Sequence, residues 1–124
     1  MLSVIIVAMG IGRILLGIAP FFFVKTSSRL LGFPEAHNTP TTRLMARFFG
    51  VRDIGLGALA FYGVMHREAL PFLLLFNALM DAGDLVSTLI PIVRKQGIDR
   101  AAWSSAGFAG FAGIAWTVVY SQVV

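Results

Sequence analysis

Four long apolar stretches, separated by short polar segments, dominate the pattern of hydrophobic and polar positions along the chain. They cover approximately residues 2–24, 43–65, 69–93 and 101–123. About 20 helical residues cross the ~30 Å hydrocarbon core of a bilayer, so each stretch is long enough to span a membrane. Open strands would leave backbone groups without partners in lipid, which favours helices. The pattern therefore predicts an all-α protein: an integral membrane four-helix bundle, formed by a single domain over residues 1–124.

The distribution of cations predicts the orientation of this bundle. The first and third connections lie on one side and carry most of the cations: Lys25, Arg29, Arg43, Arg94, Lys95 and Arg100. The other side carries Arg67, and neither terminus has a lysine or arginine. Because cytoplasmic loops are enriched in Lys and Arg, we expect loops 25–42 and 94–100 to be cytoplasmic. Both termini are then non-cytoplasmic, and the plasma (cytoplasmic) membrane is the expected location.

Composition agrees with this class of protein and argues against several others. The chain is 57% hydrophobic and 13% charged, whereas soluble domains carry about 25% charged residues. The net charge of +4 does not predict a nucleic-acid partner, because no run of Lys and Arg with interleaved aromatics forms a binding face. Cysteine is absent, which excludes disulfides and thiolate chemistry. We find no nucleotide or phosphate motif, so we expect no cofactor and no metal, and the lipid bilayer is the expected partner.

Charged residues lie near the middle of three of the predicted spans. Arg13 is in the first span, Arg52 and Asp53 are in the second, and Asp81 and Asp84 are in the third. A charge at the centre of a bilayer costs at least ~2.5–3.5 kcal/mol, so such residues usually pair with one another or face water. We therefore predict a buried Arg–Asp cluster at one depth in the bundle.

Helical spacing predicts which side chains share the interior. The third span carries one polar stripe with i, i+4, i+7, i+11 spacing: Asn77, Asp81, Asp84 and Thr88. The helix faces that carry Arg13 and Asp53 otherwise hold glycine and alanine. Small residues let neighbouring backbones approach closely, so a tight bundle with a polar interior is expected.

The charge balance of the cluster depends on Arg47. If Arg47 lies at the membrane interface, two arginines face three aspartates, and one carboxylate lacks a full partner. Such a carboxylate would hold or share a proton, and it could serve as a general acid or a relay. Asp81 and Asp84 are one turn apart, so their mutual repulsion makes them the expected pair to share it. If Arg47 lies inside, three arginines face three aspartates, and the cluster has no net charge.

The residues around the charges of the second span resemble a known family. The segment 47–57, RFFGVRDIGLG, together with DAGD at 81–84, is similar to small four-span membrane proteins catalogued as a domain of unknown function. Those proteins carry an Arg-Phe-Gly-x-Arg-Asp type motif, a glycine-rich span and an Asp-containing third span. The resemblance covers spans one to three and implies the architecture but no substrate. The residues it indicates are Arg47, Arg52, Asp53, Asp81 and Asp84.

Three functions remain open on the sequence alone. The first is a membrane-embedded acid–base enzyme, a cofactor-independent isomerase or cyclase acting on a lipophilic small molecule. Its catalytic residues would be Asp53, Asp81 and Asp84, and its binding or orienting residues Arg13, Arg47, Arg52, Asn77 and Thr88. The second is a non-catalytic membrane subunit or assembly factor, whose charges form a structural ion-pair core. The third is a small proton-coupled transporter. Each of the three functions is compatible with a homo-oligomer.

Overall fold

Helices account for nearly all of the chain in the computed structural model, which describes residues 1–124. The elements are α1 (Leu2–Phe22), α2 (Val24–Leu31), a 3₁₀ helix (Glu35–His37), α3 (Pro40–Met65), α4 (Leu70–Val93) and α5 (Asp99–Val123). Four of them, α1, α3, α4 and α5, are long and apolar enough to cross a membrane. The predicted all-α, four-span architecture is confirmed, and the helix bounds lie within three residues of the predicted ones.

The first connection, expected to be a loop, contains the short helix α2. Its inward face follows helical spacing and consists of Val24, Ser27, Ser28 and Leu31. Gly32 ends the helix with a φ of 98°, in the left-handed region that favours glycine. The N–H groups of Gly32 and Phe33 both donate to the carbonyl oxygen of Ser28, at 3.1 and 3.0 Å. Hydropathy gave no sign of α2, because half of its inward face is serine.

α3 begins three residues earlier than predicted because Thr39 and Pro40 build a helix start. The N–H of Thr42 donates to Thr39 Oγ1 at 3.3 Å, and the N–H of Thr39 donates to Thr42 Oγ1 at 2.9 Å. Pro40 occupies the first turn, where its missing N–H needs no helical partner. This reciprocal cap fixes the point at which the first connection enters α3.

The four long helices pack as two pairs, α1 with α3 and α4 with α5. α3 also meets α4 beside the tight turn that joins them, where Gly63 lies against Leu70 and Leu73. At this end of the bundle a buried apolar core joins the two pairs: Ile6, Ala60, Leu70, Leu74, Ala78, Trp116 and Val119. Leu2 and Val123 pack against the same core, so both termini lie at this end. The side of the membrane that it faces stays a prediction.

α1 and α3 approach each other most closely at two pairs of glycines. A methyl group added at Gly17 would lie 2.5 Å from the carbonyl oxygen of Gly50. One added at Gly57 would lie 2.6 Å from the carbonyl oxygen of Gly10. Neither position therefore accepts a side chain unless the helices move apart. The segments between the two glycine pairs carry the charged residues of the interior, so this contact sets how close the charges of α1 and α3 can be.

Candidate functional site

The side chain of Arg13 crosses from α1 to α4. Its Nη1 donates to Asp81 Oδ2 at 2.9 Å, and its Nη2 donates to Asp81 Oδ1 at 2.8 Å. The same Nη2 lies 3.6 Å from Asp53 Oδ1 on α3, and the guanidinium carbon lies 6.0 Å from the ring centroid of Trp116 on α5. Arg13, Asp53 and Asp81 are all buried. One arginine therefore contacts each of the other three long helices.

A second bidentate pair joins α3 to α4 one turn further along. Arg52 Nη1 donates to Asp84 Oδ1 at 2.8 Å, and Nη2 donates to Asp84 Oδ2 at 2.6 Å. The guanidinium carbon lies 4.6 Å from the ring centroid of Phe49, within cation–π range. The side chains of Arg52 and Asp84 are 29% and 24% exposed, against 5% for both Arg13 and Asp81. The second pair therefore reaches the surface of the bundle, near the middle of α3 and α4.

Asp53 lies between the two arginines. Its Oδ1 is 3.6 Å from Arg13 Nη2 and 3.5 Å from Arg52 Nη2, yet it accepts no hydrogen bond. The expectation that Asp81 and Asp84 share a proton does not match this geometry, because each has an arginine of its own. The carboxylate that lacks a bidentate partner is Asp53. The rotation of α4 about its own axis turns Asp81 towards α1 and Asp84 towards α3. Each of these aspartates therefore meets one arginine, and Asp53 is left between the two.

Arg47 lies outside the network that these five residues form. It is exposed on α3 and forms no ion pair within the chain. The first of the two charge balances predicted from the sequence therefore applies. The network contains two guanidinium groups and three carboxylates, so its formal charge is negative by one when every group is ionised.

The other polar residues of the α4 stripe bond to their own helix rather than to the network. Asn77 is fully buried, and its Nδ2 donates to the carbonyl oxygen of Leu73 at 3.0 Å while its Oδ1 has no partner. Thr88 Oγ1 donates to the carbonyl oxygen of Leu85 at 2.7 Å. The stripe is thus present, but the ion pairs involve only its two aspartates.

A cavity of about 620 Å³ lies at the end of the bundle opposite the termini. It is bounded by α2, by the connection between α2 and α3, by the first turns of α3, and by the start of α5. None of the five network residues lines it. Phe49 does line it, and the same side chain contacts the guanidinium of Arg52. Phe49 is therefore the residue that connects the cavity to the network.

Comparison with known proteins identifies a family. The sequence profile described as "Domain of unknown function (DUF4267)" matches residues 10–120. The chain belongs to the DUF4267 family. The match includes all five network residues and extends beyond the three spans that carried the resemblance, into α5. No curated protein and no solved structure matches the chain. DUF4267 membership, the four apolar helices and the buried network together describe an integral membrane protein of a family without an assigned activity.

The carboxylates in the network of this DUF4267 protein are paired with guanidinium groups rather than clustered with one another. No group of three or more His, Asp or Glu side chains is arranged to hold a metal ion. The positions between the carboxylates are occupied by the two guanidinium groups. Any chemical use of these aspartates depends on what can reach them.

Two residues beside the DUF4267 network were not predicted from the sequence. Trp116 is 2% exposed and lies over Arg13, and Phe49 packs on Arg52. The sequence could have indicated Trp116, because its spacing from Ala109 and Gly113 places all three on one face of α5, the face on which small residues permit close packing. A methyl group at Gly113 would lie 3.3 Å from the Cβ of Asp81, so this small residue lets α4 bring the ion pair close to the indole.

Proposed function

We propose that the chain is a non-catalytic membrane subunit or assembly factor, and that the Arg–Asp network is the ion-pair core joining its two helix pairs. The observation that carries this proposal is the pairing of both α4 aspartates. Asp81 and Asp84 each receive two hydrogen bonds from one arginine of the α1–α3 pair. Both oxygens of each carboxylate are therefore engaged before any substrate arrives.

The network lies between the two helix pairs, where it can fix their relative positions. The two helix pairs contact each other less extensively than the helices within each pair. Charge-assisted, bidentate Arg–carboxylate bonds are strong and geometrically specific. A rotation or shift of α4 that separated Asp81 or Asp84 from its arginine would leave unpaired charges inside the membrane. The ion pairs thus select one arrangement of the two helix pairs.

The partial exposure of the Arg52–Asp84 pair supports a subunit role. Both residues lie near the middle of their spans, where lipid would otherwise surround the exposed part of the pair. Charged groups at this depth normally face protein or water. We propose that a second copy of the chain covers the pair. A surface that carries an arginine beside an aspartate is complementary to itself under two-fold rotation, the commonest symmetry of homo-oligomers.

Disulfide cross-linking tests this dimer. The chain has no cysteine, so a single introduced cysteine cannot form a disulfide within the chain, and a product of twice the chain's mass reports a second copy. Gly55 and Gly83 are exposed, have open space beside them, and lie next to the Arg52–Asp84 pair. We expect Gly55→Cys and Gly83→Cys to cross-link in native membranes under mild oxidation. Phe111→Cys is the control, because Phe111 is 79% exposed in the middle of α5, away from the pair.

The charges of the interface can be tested in the same cysteine background. Asp84→Arg should abolish cross-linking through Gly55→Cys, because the surface then carries two cations. Combining Asp84→Arg with Arg52→Asp should restore it, because the surface is again self-complementary. Equal cross-linking through Phe111→Cys, or failure of the charge exchange to restore the product while the protein remains folded, would contradict the dimer.

A second candidate, an acid–base enzyme acting on a lipophilic small molecule, is favoured by Asp53. The network has one carboxylate more than it has arginines, and Asp53 has the oxygen without a hydrogen bond. In this candidate Asp53 exchanges a proton with the substrate of an isomerase or cyclase reaction, and Arg13 and Arg52 orient it. The cavity supports this candidate through Phe49, which would have to move for a substrate to approach.

The transporter alternative has less support. Transport through the network requires a polar path that reaches both ends of the bundle. Between the network and the end that carries the termini, the interior contains one buried polar side chain, Asn77, and is otherwise packed with apolar side chains that include Ile6, Leu74 and Trp116. A path on this side would require the packed core to open.

A further inference from the structure

The cavity opposite the termini combines cations, hydroxyl groups and an apolar wall. α2 contributes its polar part: Lys25, Ser27, Ser28 and Arg29. The connection to α3 and the first turns of α3 contribute apolar side chains, among them Phe33, Met45 and Phe49. They also contribute the polar residues Glu35, His37, Asn38 and Thr42. The lining therefore offers both cations with hydroxyl groups and a set of apolar side chains, as a molecule with a polar head and an apolar tail would require.

The polar groups of α2 are free to bind a ligand. Lys25 and Arg29 form no ion pair within the chain. The hydroxyls of Ser27 and Ser28 make no hydrogen bond to protein groups, whereas that of Ser104 donates to its own helix, to the carbonyl oxygen of Arg100, at 2.9 Å. Two cations and two hydroxyl donors thus lie on adjacent turns of one short helix without a partner from the protein.

The position of α2 places these donors at the level of lipid head groups. α2 follows the end of the first membrane span directly. Phe22 and Phe23 just before it are 67% and 62% exposed, and Leu30 on its outer face is 78% exposed. Exposed aromatic and apolar side chains at the end of a span are typical of the membrane interface. A lipid-like molecule could therefore enter the cavity from the bilayer.

The electrostatics of this end favour an anionic head group. The only acidic residues of this end are Glu35, which lines the cavity, and Asp99, which does not. Its cations outnumber them and are Lys25, Arg29, Arg43, Arg47, Arg94, Lys95 and Arg100. Phosphate is the anion that best matches the donors of the cavity, since it offers several acceptor oxygens to guanidinium, ammonium and hydroxyl groups together. The volume of about 620 Å³ falls within the ~300–1,000 Å³ typical of small-molecule sites.

We propose that this cavity binds an amphiphile whose head group is an anionic phosphate monoester. The phosphate is held by Lys25, Arg29 and the hydroxyls of Ser27 and Ser28, and the apolar tail lies along the wall that Phe33, Met45 and Phe49 form. Phosphatidic acid and phosphorylated lipophilic metabolites share this chemistry. The assignment is independent of whether the Arg–Asp network is structural or catalytic, because no network residue lines the cavity.

Calorimetric titration of the purified full-length protein in a non-ionic detergent tests the site. The probes are dihexanoyl phosphatidic acid, dihexanoyl phosphatidylcholine and inorganic phosphate. The test variant is the double substitution Lys25→Gln and Arg29→Gln. The matched control is Arg94→Gln and Lys95→Gln, which removes the same charge from exposed positions at the same end that do not line the cavity. Met45→Trp, which adds volume at the apolar wall, is the second variant.

We expect saturable binding of the phosphatidic acid, weakened about ten-fold or more in Lys25→Gln/Arg29→Gln and changed no more than about two-fold in the control. Met45→Trp should weaken the lipid and leave the response to inorganic phosphate unchanged. Equal losses in the test and control doubles would reduce the effect to diffuse electrostatics and overturn the site. Equal affinity for phosphatidylcholine, a zwitterionic phosphodiester, would overturn the assignment of an anionic phosphate monoester as the head group. Inorganic phosphate that binds as tightly as the lipid would overturn the role of the tail and leave a soluble phosphate as the ligand.

Discussion

Arg13 of α1 and Asp81 of α4 form a bidentate ion pair across the boundary between the two helix pairs, with N–O distances of 2.9 and 2.8 Å. Both side chains are only 5% exposed, so each charge is compensated almost entirely by protein groups. The pair explains how a cation can lie in the middle of the first membrane span. It also makes the position of α1 depend on that of α4, although α1 packs mainly against α3.

Asp81→Asn should destabilise the protein strongly, because the buried guanidinium of Arg13 loses its bidentate partner and keeps only Asp53, at 3.6 Å and without a hydrogen bond. Breaking a buried ion pair in this way costs about 3–5 kcal/mol. Unfolding in mixed micelles of a mild detergent and SDS measures the loss. The double variant Arg13→Met/Asp81→Leu should recover most of it, since both charges are then gone. Wild-type stability of Asp81→Asn would show that the pair does not hold the helices.

The sequence predicted the spans well because each is a long apolar run, and it predicted the depth of the charges because depth follows from position along a helix. The sequence could not predict which aspartate pairs with which arginine. Asp81 and Asp84 lie one turn apart, and only the rotation of α4 against its neighbours decides that one meets Arg13 and the other Arg52. That rotation depends on side-chain packing across helices, which periodicity within one helix does not contain.

α2 was missed for a different reason. A helix of eight residues at the membrane interface needs only one apolar edge, and Val24 and Leu31 supply that edge at the two ends of the segment. Ser27 and Ser28 between them read as loop residues, since serine favours caps and turns. Because α2 forms one wall of the cavity, the cavity could not be predicted from the sequence either.

Gly17→Ala should separate α1 from α3. The added methyl group would lie 2.5 Å from the carbonyl oxygen of Gly50 and 2.9 Å from the backbone nitrogen of Ile54, and neither backbone atom can move without its helix. We expect a loss of about 1–3 kcal/mol, as for other overpacked sites. Gly12→Ala on the same helix is the matched control, because a methyl group there meets nothing within 4 Å.

The two alanine variants are compared by the same unfolding measurement. Gly12→Ala should be neutral or stabilise the helix by up to ~1 kcal/mol, because alanine is the better helix former. The difference between the two variants then reports the helix contact alone. Equal effects at the two positions would mean that α1 and α3 are not held at this distance in the membrane.

The orientation in the membrane can be measured with single cysteines, since the chain has none of its own. Gln96 lies in the connection between α4 and α5, Gln122 lies in the last turn of α5, and both are exposed. The positive-inside rule predicts that a membrane-impermeant maleimide labels Gln122→Cys in intact cells and labels Gln96→Cys only after permeabilisation. The reverse pattern would place the basic end, and with it the cavity, on the outer side.

Asp53→Asn separates the structural from the acid–base function. The amide keeps the shape of the side chain and leaves both bidentate pairs in place, while it removes the one carboxylate in excess over the arginines. We therefore expect stability within about 1 kcal/mol of the wild type, or above it, because the network becomes neutral. Asp84→Asn is the control, since it breaks a bidentate pair and should destabilise the protein. If Asp53→Asn unfolds as readily as Asp84→Asn, the charge of Asp53 is needed to hold the two arginines, and the excess-charge argument fails. Given a stable Asp53→Asn, rescue of a strain that lacks the gene decides between the functions: rescue at wild-type level supports the structural core, and loss of rescue at equal protein level assigns proton exchange to Asp53.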